Sequence, residues 1–95
     1  MTAEQKETLR HVVLEFLAVR HPAAFPARAI RRTVANELDF QVAEEDIAAT
    51  CQFLIGMETA RELPDALGST KYYSATAAGV LAYERGFNQF PPRHD

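Results

Sequence analysis

Apolar residues recur at helical spacing in three stretches of this chain, and each stretch predicts a helix. Leu9, Val12, Val13, Phe16 and Leu17 follow the i, i+3, i+4, i+7, i+8 rule of one buried face. Thr2 with Gln5 three residues on has the form of a capping box, and Pro22 stops the run, so the first helix spans about Thr2–Arg20. Ala27, Ile30, Val34 and Leu38 mark a second helix, Ala27–Leu38, which Pro26 suits as its opening residue. Ile47, Cys51, Leu54, Ile55 and Glu58 mark a third, Glu44–Thr59, within the stretch Gln41–Ala60. Its first turn holds Glu44, Glu45 and Asp46, where the positive end of the helix dipole favours acids. Phe53 and Met57 flank the stripe and widen its apolar arc, so this helix packs on more than one side and becomes the centre of the domain.

The segments between and after these helices are short. Pro22–Pro26 predicts a brief extended piece with Phe25 turned inward. Asp39–Gln41 joins the second and third helices, with Phe40 or Val42 plugging the gap between them. Such a tight connection makes the two helices neighbours. Arg61–Leu63 and Lys71–Ser74 read as two strands around a turn containing Pro64 and Gly68. Tyr72 and Tyr73 then face opposite sides of the hairpin, one ring inward. Thr76 caps a last helix, Ala77–Arg85, with Val80 and Leu81 on its apolar face, Gly79 at a close approach and Gly86 ending it. The predicted core is Val13, Phe16, Leu17, Ile30, Val34, Leu38, Ile47, Cys51, Leu54 and Leu81. Residues 1–86 form the domain, and 87–95, with two adjacent prolines, an extended or partly disordered tail.

Composition narrows the class. The 95 residues suit one domain, 47% of them hydrophobic and 24% charged. A net charge of −3 supplies no global pull toward nucleic acid or acidic membranes. The polar start and the lack of a long apolar run predict a cytoplasmic protein with no membrane partner. Cys51 is alone on an apolar face, which reads as a small buried hydrophobe. His11, His21 and His94 are scattered, with no metal-ligand spacing, and no glycine-rich phosphate loop is present. No catalytic residue, metal site or cofactor is expected, and the chain does not read as an enzyme. The cationic cluster is Arg28, Arg31 and Arg32, on the outer side of the second helix.

The order helix, short strand, helix, helix, strand, strand, helix, mainly α with a small β-hairpin wing, resembles the winged helix-turn-helix superfamily. The run Tyr72-Tyr73-Ser74-Ala75-Thr76-Ala77-Ala78-Gly79 is similar to the Tyr-Tyr-x-Leu-Thr-x-x-Gly signature that closes the wing in PadR-like transcriptional regulators, with Ala75 in place of leucine. The resemblance implies that Glu44–Thr59 enters the major groove of double-stranded DNA, that the wing lies over the backbone or minor groove, and that Ala27–Leu38 crosses the phosphates. PadR-like proteins dimerise through a long C-terminal helix, and Ala77–Arg85 is short for that role.

Two functions stand side by side. A DNA regulator would draw on Arg28, Arg31, Arg32, Arg61 and Lys71 for phosphates, with Glu44, Glu45, Ala48 and Gln52 facing the bases. Gln52 has the atoms to pair with adenine, and glutamate accepts from cytosine. Between Gln41 and Ala60, however, there is no Lys or Arg, so the same surface also suits a protein partner. The expected assembly is a monomer or weak homodimer, with Phe53, Met57, Phe87 and Phe90 as its apolar surface.

Overall fold

The computed structural model describes residues 1–89, the last three by backbone alone. Its elements are α1 (Ala3–Val19), β1 (Phe25–Pro26), α2 (Ala27–Val34) with a 3₁₀ turn over Ala35–Glu37, α3 (Glu44–Gly56), β2 (Ala60–Pro64), β3 (Lys71–Ala75) and α4 (Ala77–Gln89). The strands form one antiparallel sheet in the order β1-β3-β2. This is the mainly helical α+β order expected.

The ends of the helices follow from local chemistry. At α1 the Thr2 hydroxyl accepts from the Gln5 amide at 3.0 Å, and the Gln5 side chain accepts from the Thr2 amide at 3.0 Å. Two donors without helical partners are satisfied at once. At α3 the Asp46 carboxylate accepts from the Ala43 amide at 2.9 Å. The C-terminus of α3 closes by two nested bonds, from Glu58 N–H to Ile55 O and from Thr59 N–H to Leu54 O, both 2.9 Å. That pattern needs a left-handed residue after the cap, and Glu58 takes it with φ of 65°. The helix therefore stops at Gly56, and Glu58 belongs to the turn and not to the buried stripe.

The core is the meeting of α1, α2 and α3 on one face of the sheet. Leu9, Val13, Phe16, Leu17, Ile30, Val34, Ile47, Cys51 and Leu54 are buried, joined by Val42, Ala60, Tyr73 and Ala75. Val42 plugs the α2–α3 turn and Phe40 packs beside it. Phe25 meets Phe16 edge to face, with ring centres 5.0 Å apart. Ser74 is fully buried, and its hydroxyl donates to Pro22 O at 3.0 Å, which ties β3 to the loop before β1. Thr76 does two jobs. Its hydroxyl accepts from the Gly79 amide at 3.0 Å as the cap of α4, and donates to Glu58 O at 2.8 Å. This draws α4 onto the α3–β2 turn so tightly that a Cβ at Gly79 would lie 1.9 Å from Thr59 O.

Three further expectations are corrected. Leu81 is 46% exposed and Val80 packs inward instead, because one residue of rotation turns a helical side chain by about 100°. Leu38 is only partly buried, since the helix tightens to a 3₁₀ turn before it and Leu38 itself is extended. Gly86 does not end α4: the helix runs on to Gln89, and among the described residues no glycine has positive φ. The rest of the predicted tail, from Phe90 on, lies outside the described residues.

Candidate nucleic-acid interface

The site is built from α2, α3 and the β2–β3 wing. Helix α2 buries Ile30 and Val34, which turns Arg28, Arg31 and Arg32 to solvent. Arg31 is bound within the fold: its Nε donates to Val42 O at 2.6 Å, clamping the α2–α3 turn. A charged donor on a backbone carbonyl makes a strong bond, so Arg31 acts first as a brace. Arg28 lies instead at a cleft of about 320 Å³, lined also by Glu44, Ser69, Thr70, Lys71 and Tyr73. Cations from α2 and from the wing thus flank the start of α3.

Strand register decides which of the other expected cations joins them. Arg61 pairs with Ser74 and Glu62 with Tyr73. Successive strand residues face opposite sides, so Lys71, Tyr73 and Glu62 share one face and Arg61 takes the other. The structure brings Arg28 and Lys71 together and leaves Arg61 across the sheet.

Along α3, Glu44, Glu45, Ala49, Gln52, Phe53 and Gly56 are exposed and Ala48 is half-buried. Gln52 is held from the wing: its Nε2 donates to Glu62 Oε1 at 2.8 Å. Burial lifts the Tyr73 hydroxyl above its ordinary value, and the neighbouring Gln52 side chain draws it part of the way back. Phe53 is 41% exposed, and the Arg10 guanidinium lies over its ring, 3.8 Å from the centre. Met57 is 61% exposed and Leu67, at the wing tip, 98%. The wing turn is set by Asp65, whose carboxylate accepts from the Leu67 amide at 3.2 Å. The side chain of Phe87 and all of Phe90 lie outside the described residues.

Sequence reasoning missed Arg10, Glu62, Ser69 and Thr70. Arg10 looks like any solvated residue of α1, and Glu62 gains a role only through its register with Tyr73. Burial pushes the Cys51 thiol up to about 12, as befits a packed side chain and not a nucleophile. Among the described residues no group of three or more His, Cys, Asp or Glu side chains is placed to hold a metal ion. No helix among them is long and apolar enough to cross a membrane.

The sequence matches no protein-family model and no curated protein. Solved structures do share the fold. A PadR-like transcription factor from Bacteroides fragilis superposes with TM-score 0.74 at 16% identity, over 96% of this chain and 87% of that one. A transcriptional regulator from Clostridium thermocellum gives 0.73 at 9% identity, over 99% and 91%. ZitR of Lactococcus lactis gives 0.67 at 12% identity, and this chain, 96% covered, spans 63% of its length. The fold is that of a winged helix-turn-helix, with α2 and α3 as the helix-turn-helix and β2–β3 as the wing.

Proposed function

We propose that this domain is a small transcriptional regulator that binds double-stranded DNA through α3 and the wing. The observation that carries the reading is the cleft where Arg28 of α2 and Lys71 of the wing flank the exposed start of α3. Its fold neighbours from Bacteroides fragilis and Clostridium thermocellum are described as a transcription factor and a transcriptional regulator. Arg28, Arg32 and Lys71 serve the phosphates, while Arg31 braces the turn that sets the angle of α3.

The test is fluorescence anisotropy on random and genomic duplexes from low to physiological salt. Replacing Arg28, Arg32 and Lys71 by alanine is expected to flatten the slope of log affinity against log salt by about 0.9 for each phosphate no longer neutralised. No duplex binding even at low salt overturns the reading.

One observation favours a second reading. From Gln41 to Ala60 there is no Lys or Arg, and Phe53 and Met57 are exposed on the same helix and its cap. A protein partner would meet that surface without phosphate repulsion. On this reading duplex DNA binds no tighter than about 10⁻⁴ M near physiological salt.

A further inference from the structure

A free glutamine amide offers two N–H donors and one carbonyl acceptor, and it flips to suit its partner. Gln52 lacks that freedom. Its Nε2 donates to Glu62 Oε1 at 2.8 Å. A glutamate carboxylate only accepts, so turning the Gln52 carbonyl toward it would set two acceptors face to face. Tyr73, across the strand pair from Glu62, is only 3% exposed and anchors this part of the sheet in the core. That pairing fixes where Glu62 stands beside Gln52. Oε1 of Gln52 is therefore left for an incoming ligand, together with the second N–H of Nε2.

The rest of the helix agrees. The exposed polar side chains of α3 besides Gln52 are the carboxylates of Glu44 and Glu45. Thr50 is buried, and its hydroxyl donates within the helix to Asp46 O at 2.8 Å. Apart from the second N–H of Gln52, the exposed side chains of α3 therefore present only acceptors.

In the major groove each base pair carries one amino group, on adenine N6 or cytosine N4, while guanine and thymine present acceptors there. We infer that α3 selects base pairs by the strand that carries the amino group, with Gln52 the specificity-determining residue and Glu62 the residue that positions it. The inference rests on the DNA-binding reading above and names what that surface would read: adenine or cytosine on one strand, guanine or thymine on the other. Glu45 and Gln52 stand about 10 Å apart along the helix, the height of roughly three base steps. A short run of amino-bearing bases on a single strand is the expected half-site.

The experiment begins with selection of tight-binding duplexes from a random pool by the full chain. Each adenine of the selected site is then replaced by 2-aminopurine, and each cytosine by 2-pyrimidinone. The first still pairs with thymine but carries its amino group in the minor groove, and the second lacks the amino group. At the position facing Gln52 the change is expected to weaken binding about tenfold, the scale of one good base pairing. Glu62→Ala frees the amide to flip, so guanine and thymine become acceptable at that position and the penalty falls below about threefold. The salt slope stays unchanged, because the same phosphates are neutralised. Glu62→Gln carries an amide that can donate as well as accept, so it is expected to relax the preference as Glu62→Ala does.

Selective binding in which no amino deletion costs affinity overturns this inference while leaving the DNA reading intact. So does a selected site with guanine or thymine on the strand that faces Gln52. A Glu62→Ala protein that weakens on all duplexes alike, with its preference kept, shows a merely structural role and also overturns it. Absence of binding to any duplex overturns the DNA reading and this inference with it.

Discussion

Leu54 shows how directly burial translates into stability. It is 5% exposed at the centre of the α3 stripe, so Leu54→Ala is expected to cost about 2–5 kcal/mol in denaturant melts. A loss under about 1 kcal/mol would mean that the site collapses around the gap or that the helix face is misplaced. Glu58 works the other way. Its φ of 65° is a conformation that costs an L side chain about 1–2 kcal/mol, so Glu58→Gly is expected to raise stability by up to about 1 kcal/mol once the added entropy of the unfolded chain is counted. Cys51 couples the core to pH. Its thiol moves from 9.0 to about 12 on burial, so between these values the unfolded chain has lost a proton that the folded chain keeps. Stability from this group is complete below pH 9 and drains away as pH rises toward 12. Melts at mildly and strongly alkaline pH are expected to show a smaller decline for Cys51→Ala than for the unaltered chain.

At the scale of elements, α3 is the place where the fold and the proposed function disagree. Its acidic first turn suits the helix dipole and caps the N-terminus, yet the same carboxylates face any phosphate brought to the cleft. Replacing Glu44 and Glu45 by lysine is expected to raise duplex affinity at low salt and to steepen its salt dependence, at a cost of a few tenths to about 1 kcal/mol per residue from the weakened dipole interaction. Anisotropy titrations and thermal melts read the two effects separately. Unchanged affinity would place this end of α3 away from the DNA. The elements themselves were legible because each carries its own signal. Thr2 and Gln5 announce a cap, the stripe from Leu9 to Leu17 a buried face, and Thr76 the start of α4. Gly86 misled because a glycine near the end of an apolar run resembles a stop, but it stops a helix only where the backbone turns left-handed, which it does not do here.

For the whole molecule, the exposed apolar residues bear on self-association. Phe53 and Met57 remain exposed at the C-terminal half of α3 and its cap, but Arg10 covers one side of the Phe53 ring, which lowers the gain from burying it. We expect at most a weak homodimer. Light scattering over a concentration series checks this: a dimer that persists at nanomolar protein contradicts it, and a monomer at millimolar protein removes the dimer altogether. Arg10→Ala is expected to strengthen any association that uses Phe53, because it uncovers the ring.

What the sequence by itself determined was local: the helical stripes, the capping residues, the existence of a hairpin and the presence of arginines opposite the apolar side of α2. These follow from backbone periodicity and from interactions within one turn, which a linear string encodes. What only the tertiary structure decided was which polar groups meet. Arg61 and Lys71 look equivalent in sequence, yet the β2–β3 register puts them on opposite faces. Gln52 looks free to present either end of its amide until Glu62, ten residues on, takes one of its two N–H donors. Arg31 is indistinguishable from Arg28 and Arg32 until Val42 O comes within 2.6 Å. Each of these depends on bringing a distant backbone or side chain within hydrogen-bond reach. That distance is set by packing of the whole core and appears in no local pattern of residues.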